Sequence, residues 1–360
     1  MIQFNNIYQG KRVLVTGHSG FKGSWLSMWL QCLGAKVTGV SLPTGSNIDH
    51  FESLDLGIDD VRLDICNFST LAETFQHVKP EFVFHMAAQP LVRKSYLQPL
   101  ETWNTNVMGT AHVLELCRMQ DSIKGAVVVT TDKCYENKEW PWGYRENDRL
   151  GGHDPYSASK AASELLVASY RKSFNELSGE KLIATARAGN VIGGGDWSED
   201  RLVPDLVRAV MNNEALVLRY PNATRPWQHV LDSLSGYLSL GQKLLEGNRE
   251  FAGAWNFGPE AISNVKVIDF LNMFKEEWSE INWRVCNKAD FHEGSLLYLD
   301  SAKSRSKLDW NPTYNLSEAI STTANWYRSY LRDGNVDHWA QLSDYLQKSQ
   351  IVGASWMSEY

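Results

Sequence analysis

The stretch VTGHSGFKGSW, residues Val15–Trp25, decides the fold predicted from this sequence. An apolar run precedes it and a helix-forming segment follows, so it predicts a strand, a glycine-rich turn and the start of a helix. Gly17, Gly20 and Gly23 let the backbone turn tightly and approach a pyrophosphate, whose charge then rests on the helix N-terminus. We therefore predict a dinucleotide site at this turn.

The turn has two other interpretations. One is a purely structural tight turn. The other is the nucleophile elbow of a hydrolase, because GHSGF nearly matches GxSxG, but Phe21 stands where that motif needs its second glycine. The hydrolase interpretation therefore fails.

Outward from this turn, short apolar runs alternate with helical segments. Strands are predicted at residues 11–17, 35–42, 61–65, 81–88, 126–131 and 181–187, and helices at 21–33, 67–77, 105–118 and 156–175. This alternation predicts an α/β protein with a doubly wound parallel sheet of the Rossmann type and a smaller C-terminal substrate-binding region. We expect a dinucleotide-binding domain over 1–190, a mainly substrate-binding domain over 191–335, and a tail over 336–360 with one helix and a loose end.

The composition limits the classes of partner. The formal net charge is −7, hydrophobic residues make up 43% of the chain, and charged residues 21%. Five scattered cysteines without CxxC favour a reducing cytoplasm, and no HExxH or close His/Cys cluster indicates a metal. We expect a cytoplasmic protein with no metal, no nucleic-acid partner and no membrane partner.

The choice of dinucleotide depends on the end of the second strand. A carboxylate usually holds the adenosine ribose of NAD there, but this chain has Ser41, and no arginine follows closely to bind the phosphate of NADP. NAD is the favoured cofactor. Asp64, which ends the third predicted strand, contacts the adenine amino group or serves as a helix N-cap.

A second constellation lies further along the chain. Tyr156 and Lys160 are spaced i and i+4, so they project from one helix face. An ammonium beside a phenol favours phenolate and lowers the tyrosine pKa, which suits removal of a proton from a sugar hydroxyl during hydride transfer. The fifth predicted strand ends in TTDK, which places Thr131, Asp132 and Lys133 at the sheet edge where parallel sheets bind ligands.

Together these motifs resemble the extended short-chain dehydrogenase/reductase family from about Lys11 to Lys303. HMAAQP (His85–Pro90) and TNVMGT (Thr105–Thr110) are similar to its cofactor-lining segments. The resemblance implies cofactor contacts from Gly17, Gly20, Phe21, Gly23, Asp64, Ile65, Ala87, Ala88, Thr105, Thr130, Tyr156 and Lys160.

Within that family, TTDKCY resembles the sugar-nucleotide 4,6-dehydratases, which oxidise C4, remove water across C5 and C6, and return the hydride to C6. The resemblance implies that Thr131 polarises the C4 oxygen and that Asp132 protonates the departing hydroxyl. Lys133 replaces the usual glutamate. It is either a neutral base for C5, which we favour, or a charged stabiliser of the enolate, with the base elsewhere (for example Glu136).

Three further segments, at residues 135–160, 187–205 and 225–232, resemble the branch of these dehydratases that acts on CDP-glucose. This implies substrate contacts from Gln89, Asn190, Arg201, Arg225 and Tyr298, and a homodimer formed through the helices at 105–118 and 156–175. Two alternatives stay open: a 4-epimerase or reductase of another sugar nucleotide, and a non-catalytic dinucleotide sensor.

Overall fold

Seven parallel strands form the central sheet of the computed structural model, which describes residues 2–43, 50–175, 181–286, 294 and 296–358. In chain order the strands are β1 (Ile2–Gln3), β2 (Arg12–Thr16), β3 (Lys36–Ser41), β4 (Asp59–Arg62), β5 (Phe82–His85), β6 (Gly125–Val129), β7 (Leu182–Ala188), β8 (Asn190–Ile192), β9 (Leu216–Leu218), β10 (Thr224–His229), β11 (Ala254–Phe257), β12 (Asn264–Lys266), β13 (Trp283–Val285) and β14 (Met357–Ser358).

The α-helices follow the same order. They are α1 (Phe21–Cys32), α2 (His50–Ser53), α3 (Phe68–Val78), α4 (Val92–Leu97), α5 (Pro99–Trp103), α6 (Thr110–Met119), α7 (Pro155–Tyr170), α8 (Leu202–Met211), α9 (Val230–Leu245), α10 (Val267–Glu277), α11 (Ala302–Leu308), α12 (Leu316–Asp333) and α13 (His338–Ile351). Single π-helical turns precede α6, at Asn104–Gly109, and follow α7, at Arg171–Asn175.

The sheet order is β11-β7-β6-β5-β2-β3-β4. Chain order reverses on either side of β2, because β2 pairs with both β3 and β5. This reversal is the topological switch point at which open α/β sheets bind ligands, outside the carboxyl ends of their strands. The predicted doubly wound parallel sheet is confirmed.

Helices cover both faces of this sheet. On one face, Trp25 and Trp29 of α1 belong to a large core with α9. On the other, Leu71 of α3 and Val113 of α6 pack in a second core against the sheet residue Val83. All of these side chains are fully buried, so their burial supplies the main stabilisation of the sheet.

Two strand predictions need correction. The third strand runs from Asp59 to Arg62 and not over 61–65, because it starts with two aspartates at an exposed sheet edge, which the hydrophobic pattern hides. Its predicted end instead forms a turn in which Asp64 Oδ1 accepts a hydrogen bond from the Cys66 amide at 2.8 Å. The seventh sheet strand, β11, lies within residues 191–335, so that segment also contributes to the sheet. The predicted division into domains stays a prediction.

The C-terminal tail is more ordered than expected. Its helix, α13, is where the sequence predicts one, but the end is not loose. Met357 and Ser358 pair antiparallel with Ile2 and Gln3, and the buried Trp356 stacks on Phe4 with ring centroids 5.0 Å apart. Aromatic burial between the two ends of the chain therefore fixes the tail.

The remaining strands build a smaller layer over the carboxyl edge of the sheet. β10 pairs parallel with β8 and antiparallel with β12, and β9 pairs parallel with β13. Across the residues that the structure describes, no helix combines the length and apolarity that a membrane span requires.

A buried carboxyl group, that of Asp232 on α9, links this helix to the C-terminal part of the chain. Its Oδ1 accepts hydrogen bonds from the Thr313 amide at 2.6 Å and from the Tyr345 hydroxyl at 2.9 Å. Burial raises the pKa of Asp232 to about 7, although these hydrogen bonds oppose the change.

We predict that Asp232→Asn flattens the dependence of stability on pH. Because the pKa is higher in the folded state, the folded protein holds a proton that the unfolded chain has lost, and wild-type stability falls as pH rises from about 4 to about 7. Urea unfolding at about pH 5 and pH 8 should show a larger loss for wild type than for Asp232→Asn. The control is Asp344→Asn, at an exposed position on α13. Equal losses in wild type and Asp232→Asn would contradict the prediction.

Candidate active site

A cavity of about 320 Å³ opens at the carboxyl edge of the sheet, between β6, β7 and the smaller layer. It contains most of the predicted catalytic residues, part of the predicted substrate set and one predicted cofactor contact, Thr130. These are Thr130, Thr131, Asp132, Lys133, Tyr156, Asn190, Arg201 and Arg225. Residues separated by almost a hundred positions therefore meet at one site, which lies where doubly wound sheets carry out their chemistry.

The acid at this site is held by a short turn. After β6 the chain enters a 3₁₀ turn at Asp132–Cys134, and the Thr131 hydroxyl accepts a hydrogen bond from the Lys133 amide at 3.3 Å. The same hydroxyl donates to Asp132 Oδ1 at 3.0 Å. Asp132 is 1% exposed, and its Oδ2 has no hydrogen-bond partner among the described residues. One carboxyl oxygen is thus held by Thr131, while the other is buried without a partner among the described residues, a state that calls for an explanation.

Tyr156 lies in the first turn of α7, which begins at the N-cap Asp154 and has Pro155 at its first position. Lys160, one turn later, donates to the Val129 carbonyl at 3.2 Å and is buried. Lys160 therefore ties α7 to the end of β6.

The expectation that Lys160 lowers the tyrosine pKa was wrong for the protein alone. Burial raises the pKa of Tyr156 to about 12 and outweighs the influence of the nearby Thr131 and the charge of Arg201, which both favour phenolate. Burial also lowers the pKa of Lys160 to about 8, against the attraction of Glu164. In the protein alone, phenolate is thus favoured by Thr131 and Arg201 and not by Lys160.

A buried ion pair supports the site from below. Arg187 of β7 donates to Glu164 of α7 through Nε at 2.9 Å and Nη2 at 2.8 Å. Glu164 also accepts hydrogen bonds from the hydroxyls of Thr130 and Thr185. Although burial opposes it, Arg187 holds the pKa of Glu164 below its ordinary value, so the pair is ionic. The side chain of Thr130, predicted to face the cofactor, is therefore committed to Glu164.

The glycine-rich turn is shaped as predicted. Gly17 has φ +74°, and a Cβ added to it would lie 2.7 Å from the Ala87 amide nitrogen. A Cβ at Gly23 would lie 2.0 Å from the Gly17 carbonyl oxygen, so α1 packs directly onto the turn. Gly20 is the N-cap of α1 and offers no side-chain cap, and the first turn of α1 has no acidic residue. The amides and dipole at this end of α1 therefore suit a diphosphate.

The residues predicted to hold adenosine gather on the other side of the turn. The Ser41 hydroxyl lies 2.8 Å from that of Ser19. Asp64 binds its own turn and is not a helix N-cap, since Asn67 caps α3. Gly109 lies against the buried Ile65, where a Cβ would come within 2.5 Å of Cδ1.

The structure also brings an arginine to Ser41, although none follows it closely in the sequence. Arg62 pairs with Ser41 across β3 and β4, and its Nη1 donates to the Ser41 hydroxyl at 3.4 Å. The guanidinium is already paired with Asp60 at 2.8 Å and Glu52 at 3.3 Å. Its charge is thus neutralised within the protein, which agrees with the choice of NAD over NADP.

Three predicted residues lie elsewhere. Gln89 is buried, and its amide group bonds to Leu91 and Thr102. Tyr298 accepts a hydrogen bond from the Tyr144 amide and does not line the cavity. Glu136 does not line it either and pairs with Lys138 at 2.7 Å. The contacts assigned to Gln89 and Tyr298 stay predictions, and Glu136 is placed poorly for a base.

Sequence reasoning missed Lys22, which lies in the first turn of α1, between Gly20 and Gly23, and lines the cavity. Burial, with the nearby charge of Arg201, lowers the pKa of Lys22 to about 7. The glycines of the motif obscured this residue. The signal available in the sequence was a lysine placed among them. Asp196, which accepts from Arg201 Nη1 at 3.0 Å, was also missed.

The fold and cavity are those of a short-chain dehydrogenase/reductase of the extended type. Residues 14–323 match the family described as GDP-mannose 4,6 dehydratase. The chain therefore belongs to this family of sugar-nucleotide dehydratases, and the resemblance read from the sequence is confirmed.

A CDP-glucose 4,6-dehydratase of Salmonella typhimurium is 44% identical over 95% of this chain and 98% of its own. Among solved structures, an epimerase of Methanothermobacter thermautotrophicus superimposes with a TM-score of 0.81 and 24% identity over 91% and 96% of the two chains. The UDP-glucuronic acid 4-epimerase of Bacillus cereus, solved with UDP-glucuronic acid and NAD, gives 0.76 and 23% over 88% and 99%. Both structures support the fold.

We predict that Glu164→Gln destabilises the protein by ~3–5 kcal/mol, because it leaves the charge of Arg187 buried without a partner. Guanidinium chloride unfolding measures the change. The control is Glu115→Gln, which breaks the exposed pair with Arg118 and should cost at most ~1 kcal/mol. Similar losses of unfolding free energy in both variants would show that the buried pair contributes no more to stability than the exposed one.

Proposed function

We propose that the protein converts CDP-glucose to CDP-4-keto-6-deoxyglucose and water, with NAD as a bound cofactor regenerated in each cycle. The observation that carries this proposal is the buried Asp132, which lines the cavity with Thr131 and Tyr156 and whose Oδ2 has no hydrogen-bond partner among the described residues. Oxidation at C4 alone needs only the tyrosine, whereas elimination of water also needs an acid.

The cofactor fits the glycine-rich turn. The uncapped N-terminus of α1 would hold the diphosphate, and the residues around Ser41 and Asp64 the adenosine. The predicted contacts from Ala87, Ala88 and Thr105 belong to the same set. When bound, NAD supplies reversible hydride transfer at the sugar carbons.

The residues of the chain divide the remaining chemistry. Tyr156 takes the proton of the C4 hydroxyl, while Thr131 polarises the same oxygen. Asp132 donates a proton to the departing C6 hydroxyl from Oδ2. The charge of Arg201 favours the phenolate form of Tyr156 and lies where it can also neutralise phosphate.

Lys133 is the proposed base for the C5 proton, because it follows Asp132 directly and lines the same cavity. Lys22 is the second candidate, since its pKa of about 7 leaves much of it neutral at physiological pH. Either amine, once protonated, returns the proton to C5 when C6 is reduced.

Arg201, Arg225 and Asn190 are the proposed contacts for the nucleotide diphosphate. Arg225 is 5% exposed and lines the cavity, and a planar guanidinium is well suited to phosphate. The preference for cytosine rests on the likeness to the Salmonella relative.

The test is formation of the 4-keto product from CDP-glucose, dTDP-glucose, UDP-glucose and GDP-mannose, with and without added NAD. Turnover of CDP-glucose supports the proposal, and no turnover of any substrate rejects it.

A 4-epimerase or reductase is the second candidate, because the solved structures reported above are epimerases. We predict that Asp132→Asn distinguishes the two. In a dehydratase the amide cannot protonate the leaving hydroxyl, so product formation should fall ~10²–10⁴-fold, while reduced nicotinamide accumulates and is read by its absorbance. Asp132→Glu is the matched control, since it keeps the acid. Near-normal turnover of Asp132→Asn would favour the epimerase.

We also propose a homodimer through α5, α6 and α7. Large apolar side chains are exposed along these helices and the turn between them, including Leu100 (83%), Leu165 (61%) and Met108 (49%). Exposed patches of this kind are typical of protein interfaces.

The five free cysteines agree with a location in the reducing cytoplasm.

We predict that Leu165→Glu dissociates this dimer, because the interface would have to bury a charge. Sedimentation equilibrium should show the dissociation constant rising at least ~10-fold, equivalent to ~1.4 kcal/mol. Ile351→Glu at the end of α13, also exposed, is the control. Dimers of unchanged affinity in Leu165→Glu would place the interface elsewhere.

A further inference from the structure

The end of β3 is the place where sheets of this kind contact the adenosine ribose of a dinucleotide, and this inference rests on the NAD cofactor of the proposed function. A carboxylate there accepts a hydrogen bond from the ribose 2′-hydroxyl and repels the 2′-phosphate of NADP. Ser41, the last residue of β3, has a neutral hydroxyl instead. Any selection against a 2′-phosphate therefore has to come from other residues around Ser41.

Arg62 is the cation that such a phosphate would meet. It lies opposite Ser41 on the neighbouring strand β4, and its Nη1 donates to the Ser41 hydroxyl at 3.4 Å and to the Leu42 carbonyl at 3.2 Å. The side chain of Arg62 is 22% exposed, so solvent reaches it. An unpaired guanidinium in this place would favour NADP, because it binds phosphate oxygens through paired hydrogen bonds.

Two carboxylates already bind this guanidinium. Asp60, also on β4, accepts a hydrogen bond from Arg62 Nε at 2.9 Å and lies 2.8 Å from Nη2. Glu52 of α2 accepts from the same Nη2 at 3.3 Å. One positive charge therefore faces two negative charges, and the group as a whole repels a further anion. A 2′-phosphate beside Ser41 would be disfavoured even though an arginine lies within reach.

Asp60 is held in this position from its other side by the glycine-rich turn. The side chain of His18 in that turn is fully buried, and its Nε2 lies 2.9 Å from Asp60 Oδ1. Burial lowers the pKa of His18, although the charge of Asp60 opposes the change, so the ring is neutral near pH 7. The counterion of Asp60 is therefore Arg62 and not His18. The two contacts hold the carboxylate between the turn and the guanidinium.

We propose that Asp60 and Glu52 determine the choice of dinucleotide, because they neutralise an arginine that would otherwise bind the 2′-phosphate of NADP. Two carboxylates from neighbouring elements thus do the work of the one that is missing from the end of β3. The chain carries a latent phosphate site at Arg62, and removal of the two negative charges exposes it.

The experiment is isothermal titration calorimetry of the full chain with NAD and with NADP, at one fixed salt concentration. In the double variant Glu52→Gln/Asp60→Asn, only the charge of Arg62 remains in the group. We expect the dissociation constant of NADP to fall at least ~10-fold in this variant, while that of NAD changes less than ~3-fold. Both substitutions keep the size of the side chain, and an amide at position 60 can still contact His18.

Three further variants test whether the gain comes from Arg62. Asp59→Asn is the matched control, because Asp59 is the exposed neighbour of Asp60 on β4 and is not paired with Arg62 among the described residues. It should leave both dissociation constants unchanged. Glu52→Gln alone, at a side chain that is 66% exposed, should give part of the gain. Arg62→Gln added to the double variant should abolish it.

Unchanged NADP affinity in the double variant would overturn the proposal. An equal gain in Asp59→Asn would overturn it too, because the effect would then be one of general charge. A gain that survives Arg62→Gln, or wild type that binds NADP as tightly as NAD, would also contradict it. If the dinucleotides bind as expected but wild type does not convert CDP-glucose, the proposed reaction fails while the role of Asp60 and Glu52 stands.

Discussion

The buried ion pair between Glu164 and Arg187 is the interaction on which the site depends. It joins α7 to β7, and through the Thr130 hydroxyl it also holds the end of β6. Arg187 further donates to the Tyr135 hydroxyl, at the far end of the turn that carries Asp132. One buried ion pair thus holds in place the three elements that carry catalytic residues. Because both charges have lost their contact with water, each is stable there only beside the other.

Above this pair, the cavity collects charges of both signs at close range. Lys22 and Arg201 lie near Asp132 and Asp196. Burial lowers the pKa of Lys22 and raises the pKa of Tyr156. A site of this kind keeps an amine partly neutral and a phenol protonated until a ligand changes the local charge. An acid and a base can act at the same pH only when their environments shift their pKa values differently.

Much of this arrangement was predictable from the sequence, because it depends on local patterns. The glycine spacing after an apolar run fixes the turn, and the i, i+4 spacing of Tyr156 and Lys160 fixes their shared helix. What failed depends on contacts between distant segments. Arg62 reaches Ser41 only because β3 and β4 are neighbours. The side chain of Gln89 is bound to Leu91 and Thr102, which a motif cannot show. The weight of burial at Tyr156 likewise appears only once the fold surrounds it.

The central claim is that one active site oxidises C4 and reduces C6 of the same sugar, with elimination by Asp132 between the two steps. The direct measurement uses CDP-glucose carrying deuterium at C4 and determines its position in the product by nuclear magnetic resonance. The account predicts that the deuterium moves to the C6 methyl group. Deuterium returned to C4, or lost to solvent without appearing at C6, would contradict it.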